Sequence, residues 1–251
     1  MKRLHQLPIF ALLLTIGLAM GCKDDPPVDP EPTPANFAVN FAVKWGNNDL
    51  TLSQPYAGPD GRNYQIDALK YYVCELSLIK PDNSVEQVKD VSLVDLYKPD
   101  SKTVAGEIEP GSYTGIKFGI GLDATKNHTD PSSYAIDHAM STTTGMFWTW
   151  FTQYIFAKVE GYADTTGGFA DQTFLYHTGI DSLYREVEFT NMNIVVAEGE
   201  SKSETITVDM QKLFFGDTDT IDVATEYITH TTDDVPLAIK VTDNFVKSIH
   251  R

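Results

Sequence analysis

The strongest constraint on the fold is an alternation of apolar and polar residues with a period of two. Side chains of a β-strand point alternately to opposite faces, so such a run predicts a strand with one buried face. Two runs show the pattern clearly, and their apolar members are Phe37, Val39, Phe41 and Val43 in the first and Ile116, Phe118, Ile120 and Leu122 in the second.

Further strands are expected where β-branched and aromatic residues are dense and turn residues lie between the dense segments. The predicted segments are 64–80, 91–96, 146–161 (one strand or two), 174–177, 186–193 and 205–209. Helical segments do not alternate with these strands, which argues against a parallel α/β fold. The chain is therefore predicted to be all-β, with a single antiparallel β-sandwich as its architecture.

Two segments depart from the strand pattern. Residues 123–145 are polar and rich in Ser, Thr and Asp, which predicts a long loop with a short helical turn near 134–138. Long ordered loops in compact domains are often functional.

Near the C-terminus, Asp234 and Pro236 supply a helix cap and a first-turn proline. An amphipathic helix docked on the sheet is predicted from the apolar residues that follow at every fourth position, Leu237, Val241, Phe245 and Ile249.

The N-terminus predicts an export signal. A Lys-Arg pair precedes an apolar run, residues 7–20, that is too short for a convincing membrane span and stops just before Cys22. We interpret residues 1–21 as a lipoprotein signal peptide and Cys22 as the residue that is lipidated after cleavage. An ordinary secretory signal followed by a chance cysteine is the alternative.

The residues after Cys22 predict where the protein is anchored. Lys23, Asp24 and Asp25 resemble the surface-export signal of Bacteroidota-type lipoproteins. Residues 22–36 are rich in proline, which favours an extended, semi-rigid tether between the bilayer and a domain at 37–251. We therefore expect an outer-membrane lipoprotein at the cell surface.

Composition excludes several classes of function. The chain has 19 Lys and Arg against 35 Asp and Glu, a formal net charge of −16, so it repels nucleic acid. Two cysteines cannot form a disulfide framework or a Cys-rich zinc module. If Cys22 is acylated, Cys74 is the remaining thiol, and its apolar neighbours predict a buried structural role.

Catalytic signatures are absent from the sequence. There is no H-x-x-H, H-E-x-x-H or G-x-S-x-G motif, no P-loop and no dinucleotide-binding fingerprint. Glu160 and Asp171 could form an acid/base pair, but nothing in the sequence fixes their separation, so a hydrolase is disfavoured. We expect a binding protein and not an enzyme.

Four ordered segments carry a resemblance to a known family. They are residues 121–128 with Asn127-His128, residues 146–150, residues 154–161, and residues 174–179 with His177. In this order and spacing they resemble the MbnP-like copper-binding family, which includes surface copper proteins of methane-oxidising bacteria. The likeness extends over residues 37–250.

The resemblance implies a β-sandwich that holds one copper ion with two imidazoles, at positions that match His128 and His177. Imidazole is a good ligand for copper, which leads the divalent affinity order. Some family members carry a tryptophan, oxidised to kynurenine, as a third metal contact two residues before the first histidine. Lys126 occupies that position here. Asp123, Asp130 or water are the alternatives for the third position.

The remaining candidates have plainer interpretations. Trp148 and Trp150 are expected to pack in the core. His138 and His230 are expected at the surface. Gly179 would relieve crowding beside the second predicted ligand.

The predicted function is therefore a lipid-anchored surface protein that binds copper through His128 and His177, for acquisition or buffering. Its expected partners are the outer membrane and a copper-uptake or redox protein. The alternative is a glycan- or protein-binding lipoprotein with a vestigial metal site, which Lys126 and the aromatic residues of 147–156 motivate. A copper-dependent redox enzyme ranks below both because no substrate pocket is readable.

Overall fold

The structure is a computed structural model that describes residues 32–151, 153–167 and 171–251. The predicted signal peptide (residues 1–21), Cys22 as the predicted lipidation site and most of the predicted tether lie outside the described residues. No helix in the described ranges has the length and hydrophobicity that a membrane span requires.

Strands account for most of the regular structure in the described residues, and three α-helices accompany them there. The strands are β1 (Ala35–Trp45), β2 (Asn48–Asp49), β3 (Pro55–Ala57), β4 (Asn63–Ile79), β5 (Val85–Asp95), β6 (Thr103–Ile108), β7 (Gly111–Tyr113), β8 (Gly115–Ile120), β9 (Phe147–Trp148), β10 (Gln153–Tyr154), β11 (Ala157–Ala163), β12 (Gln172–Thr178), β13 (Arg185–Phe189), β14 (Ile194–Val196), β15 (Ser201–Asp209), β16 (Ile228–Thr229) and β17 (Ile249–His250). The helices are α1 (Ala124–Asn127), α2 (Met210–Phe214) and α3 (Val235–Lys247), and short 3₁₀ turns cover Pro99–Lys102, Pro131–Ser133, Thr142–Thr144 and Asp181–Leu183.

Two main sheets enclose the core. The first has the order β17-β15-β1-β2, with β6 also paired to β1, and the second has the order β13-β8-β4-β11-β12-β16, with β3 and β5 also paired to β4. Phe41 of β1 packs edge-on against Tyr71 of β4 and Phe118 of β8, with ring centroids 6.0 and 5.6 Å apart. These contacts between the sheets confirm the predicted sandwich-like, all-β fold.

Most strand pairs are antiparallel, as expected, but two are parallel: β1 with β15 and β12 with β16. Parallel neighbours need a long crossover connection, and both pairs join segments that are far apart in the sequence. Hydrophobic alternation reports which face of a strand is buried and carries no information on the direction of its neighbour. The two parallel pairs could therefore not be predicted from the periodicity.

The aromatic run at 146–161 divides into β9, β10 and the start of β11. Met146 and Trp148 are buried as predicted, but Trp150 is 63% exposed. Trp150 lies in the turn between β9 and β10, so the alternation of a strand does not apply to it. The expectation that Trp150 packs in the core is wrong.

The long loop and the terminal helix are confirmed, with shifted details. Residues 123–145 contain no strand, and their helical turns lie at 124–127, 131–133 and 142–144. Helix α3 begins where predicted, because the Asp234 side chain accepts a hydrogen bond from the backbone N–H of Leu237 at 3.0 Å. The helix ends at Lys247, so Ile249 instead lies in β17, which pairs with β15.

Cys74 lies in the core, as its apolar neighbours predict. Its thiol is buried and free, and burial raises its pKa to about 12. A thiol that stays protonated at neutral pH is neither a nucleophile nor a good metal ligand.

Candidate metal site

His128 follows a four-residue helix whose position is fixed by a cap. The Asp123 side chain accepts a hydrogen bond from the backbone N–H of Lys126 at 3.0 Å and so closes the first turn of α1. His128 is the C-cap residue of the same helix. Its Nε2 lies 2.9 Å from Oδ2 of Asp181, and its side chain is 53% exposed.

Asn127 connects this helix to two distant segments. It is fully buried, and its Nδ2 donates to Oδ1 of Asp181 at 2.7 Å while its Oδ1 accepts from the backbone N–H of Tyr154 at 3.0 Å. The pKa of Asp181 is lowered, because the hydrogen bonds from Asn127 and His128 outweigh the opposing effect of burial. Asp181 is therefore an ionised carboxylate that accepts from both residues of the Asn-His motif. Nothing in its sequence neighbourhood signals this role.

His177 lies near the end of β12, directly opposite Lys158 of β11. Its Nε2 lies 2.7 Å from Oε1 of Glu160, and Nζ of Lys158 lies 2.9 Å from the same oxygen. The hydrogen bond from His177 lowers the pKa of Glu160 to about 2, and burial lowers the pKa of His177 itself. The favoured state is thus a neutral imidazole that donates from Nε2 to a carboxylate.

His230, expected to be an ordinary surface residue, is the aromatic neighbour of His177. The two ring centroids lie 5.0 Å apart with the planes at 82°. Nδ1 of His230 lies 3.0 Å from Oδ2 of Asp233, and the side chain is 32% exposed. Sequence reasoning missed this residue because it follows a two-residue strand, β16, and belongs to no spaced motif.

The three histidines share one arrangement, in which a carboxylate holds one ring nitrogen. Within the described residues, the second ring nitrogen of each imidazole has no hydrogen bond. Metal-binding histidines are commonly oriented in this way by a carboxylate on the nitrogen that does not bind the metal. The donor set fits copper, for which neutral imidazole is a suitable ligand. The pairs are His128 with Asp181, His177 with Glu160, and His230 with Asp233.

In the described residues, no hydrogen bond or ring contact joins the two sequence-predicted ligands, His128 and His177. Asp181, which binds His128, lies four residues after His177, so the Cα atoms of Asp181 and His177 are at most about 14 Å apart. In the part of the chain that the structure describes, no group of three or more His, Cys, Asp or Glu side chains is arranged to hold a metal ion. The joint use of His128 and His177 for one ion therefore stays a prediction.

Lys126, which stands where some family members carry tryptophan, extends toward three carboxylates. Its Nζ lies 2.7 Å from Oδ2 of Asp123, 3.1 Å from Oδ1 of Asp90 and 3.4 Å from Oε1 of Glu75. The pKa of Lys126 is raised, because the hydrogen bonds to Asp123 and Asp90 outweigh the lowering by burial. The lysine charge is compensated locally, and Asp123, a candidate third ligand, is already engaged by it.

Asp130, the other carboxylate proposed for the third metal contact, caps the 3₁₀ turn that follows it. Its Oδ1 accepts hydrogen bonds at 2.8 Å from both the backbone N–H and the hydroxyl of Ser132. These bonds cap the 3₁₀ turn Pro131–Ser133. The capping role explains the presence of Asp130 without any metal.

Gly179 makes a close approach possible where β12 meets the segment that follows β10. A Cβ atom at this position would lie 2.1 Å from the carbonyl oxygen of Tyr154. The Gly179 N–H donates to Oγ1 of Thr231 at 2.9 Å. Gly179 therefore relieves crowding against the backbone of residues 154–156. Its expected role beside a metal-binding His177 stays a prediction.

We expect Gly179→Ala to lower the free energy of unfolding by about 1–3 kcal/mol, because the added methyl group must displace the Tyr154 backbone. Gly111→Ala is the matched control, since a Cβ there meets no atom within 4 Å. Urea unfolding of both variants measures the difference. Equal stability of the two variants would contradict the close approach.

We expect Glu160→Gln to lower the free energy of unfolding at pH 7 by about 1–2 kcal/mol, because it removes a charged hydrogen-bond acceptor. The folded-state pKa of Glu160, about 2, lies below its ordinary value of 4.5. Its contribution is therefore complete above pH 4.5 and is lost as the pH falls toward 2. The difference from wild type should shrink over that interval in unfolding curves measured at several pH values. Glu198→Gln, at an exposed turn, controls for the change in net charge; an identical pH dependence in both variants would refute the assignment.

Comparison with known proteins identifies the family. The sequence profile of the MbnP family matches residues 34–233. The solved structure of MbnP from Methylosinus trichosporium matches with a TM-score of 0.59 and 16% identity, over 83% of this chain and 87% of that chain. No curated protein matches the sequence. Because the family profile covers most of the chain and the fold agrees, the chain belongs to the MbnP family.

Proposed function

We propose that the protein binds one copper ion through His128 and His177, and that it acts in copper acquisition or buffering without catalysing a reaction. The observation that carries the proposal is the matched hydrogen bonding of the two rings. Each donates from Nε2 to a carboxylate, His128 to Asp181 at 2.9 Å and His177 to Glu160 at 2.7 Å. Each therefore keeps Nδ1 for a metal ion.

Charge supports the capture of a cation. Cleavage before Cys22, as proposed below, would remove Lys2 and Arg3 and leave 17 Lys and Arg against 35 Asp and Glu, a net charge of −18. Such a field raises the local concentration of cations and their rate of association. Lys126, two residues before His128, is compensated by Asp123, Asp90 and Glu75 and so opposes metal binding little.

Copper binding would also join two separate parts of the fold. His128 belongs to the long loop and His177 to the end of β12, and Asp181 already connects the two segments. No ring contact between the two imidazoles is seen in the described residues, and sharing an ion would require both Nδ1 atoms to reach the same point. His128 is half exposed and can move, whereas His177 is held between two strands.

We also propose that Cys22 is lipidated and anchors the protein to the outer membrane, at the cell surface. The apolar signal and the Pro-rich tether that precede β1 support this placement. At that location the protein would deliver copper to, or receive it from, a copper-uptake or redox protein.

Copper titration of the purified protein with Cys22→Ser tests the site. We expect His128→Ala and His177→Ala each to weaken copper affinity at least tenfold and the double variant to abolish specific binding, because each removes one of two imidazole ligands. His250→Ala is the control, since His250 lies in β17 with its Nδ1 close to the backbone of Ser248. Competition against a chromophoric copper chelator measures the affinities, and wild-type affinity in the double variant would refute the site.

A glycan- or protein-binding function is the second candidate, and the exposure of Trp150 favours it. The Trp150 ring lies 5.8 Å from the Trp148 ring and 5.6 Å from the Phe151 ring, measured between centroids. An indole that is 63% exposed beside two other aromatic rings offers a flat apolar surface to a sugar ring or a partner side chain.

If this second function operates, Trp150→Ala should reduce binding to an immobilised glycan array at least tenfold. Binding should also persist in the presence of a copper chelator. The matched control is Tyr97→Ala, another aromatic residue that is 62% exposed. Equal loss in both variants, or loss on chelation, would exclude a metal-independent aromatic platform at Trp150.

A further inference from the structure

His230 is placed beside His177 by strand pairing and not by chance contact of two mobile side chains. Strand β16 runs parallel to β12, with Leu175 opposite Ile228 and Tyr176 opposite Thr229. The next positions along both chains are His177 and His230, whose ring centroids lie 5.0 Å apart. The parallel register therefore brings together two histidines that are separated by more than fifty residues in the sequence.

Thr231 fixes the backbone next to His230. It is fully buried and adopts φ = 68°, a left-handed conformation that β-branched residues rarely adopt. Its hydroxyl donates to the carbonyl oxygen of His177 at 3.0 Å and accepts from the N–H of Gly179 at 2.9 Å. Strained backbone of this kind persists only where the surroundings determine it, and here it ties the turn after β16 to the end of β12.

Each of the two rings contacts a carboxylate through one nitrogen, and the nitrogen without a hydrogen bond differs between the two rings. Glu160 occupies Nε2 of His177, and Asp233 occupies Nδ1 of His230 while also accepting from the backbone N–H of His230 at 2.6 Å. Within the described residues, Nδ1 of His177 and Nε2 of His230 make no hydrogen bond. Both are side chains of limited exposure, 12% and 32%, so their positions are restricted.

The separation of the rings suits a shared ion. With metal–nitrogen bonds of about 2.0 Å, two imidazoles on one ion keep their ring centroids roughly 4.5–6 Å apart, depending on the angle at the metal. The observed 5.0 Å falls in that range. The two negative charges of Glu160 and Asp233 outnumber the single positive charge of Lys158, so the net charge around the two rings favours a cation.

We propose that His230 is a ligand of the copper ion that His177 binds, so that the site uses His177 and His230 together. This inference rests on the proposed function, because it assigns a further ligand to the same ion. The two imidazoles, with ring centroids 5.0 Å apart, form a pair of nitrogen donors suited to copper.

The test compares His230→Ala with His128→Ala, His177→Ala and the His250→Ala control in the full chain with Cys22→Ser. Cu(II) is added as its sulfate, and Cu(I) is generated from it with ascorbate. The measurements are affinity by chelator competition and the nitrogen couplings in the EPR spectrum of the Cu(II) form. We expect His230→Ala to weaken affinity at least tenfold and to reduce the number of coupled nitrogens by one, with His250→Ala unchanged.

His230→Gln guards against a folding defect, because it retains a polar side chain near Asp233 and loses the imidazole. Thermal unfolding of each apo variant checks that the fold is intact. If both His230 variants bind copper with wild-type affinity and spectrum while His177→Ala fails to bind, the role of His230 is refuted and the proposed function stands. If the His128 and His177 variants also bind like wild type, the proposed copper site itself is wrong.

Discussion

The arrangement of the candidate site depends on the backbone at residues 154–156, where three segments meet. The N–H of Tyr154 donates to the buried Asn127 side chain, and the N–H of Phe156 donates to the carbonyl oxygen of Thr178. The carbonyl of Tyr154 lies so close to Gly179 that only glycine fits. Because buried backbone groups must be hydrogen-bonded, this short segment fixes the loop that carries one histidine and the strand end that carries another.

Among the described residues, each of the three imidazoles contacts a carboxylate, and Lys158 and Lys126 are both paired with carboxylates. Asp181, Glu160 and Asp233 each contact one histidine, and Lys158 compensates one of these carboxylates. Lys126 is drawn away by its own acidic neighbours, so its presence in the Lys-Asn-His sequence does not place a positive charge on the imidazole. The effect of a lysine charge on a neighbouring metal site depends on where the side chain points and on which carboxylates it contacts. The sequence shows neither.

Much of the fold could be predicted because burial imposes a period on the sequence. The alternating residues of β1 and β8 and the every-fourth-residue pattern of α3 all proved to be buried faces. The sequence could not predict the parallel pairs, since strand direction leaves no periodic trace. The expected burial of Trp150 is wrong because the two-residue strand β9 ends before it, so the alternation of a strand does not reach Trp150.

The candidate site was predictable only in part, for a related reason. His128 and His177 stand in segments with a family resemblance, whereas His230 and Asp181 reach the candidate site through tertiary contacts alone. His230 lies next to His177 only because β16 pairs with β12. Contacts of this kind depend on register between distant strands, which neither composition nor spacing encodes.

The neighbouring aspartates at the start of α3 have a consequence for the C-terminal part of the fold. Asp233 contacts His230, and Asp234, the next residue, caps α3. One peptide unit thus joins the carboxylate that contacts His230 to the cap of helix α3. In the proposed site, an ion bound by His230 would stabilise the attachment of α3 to the sheet. The attachment of α3 would then vary with the supply of metal.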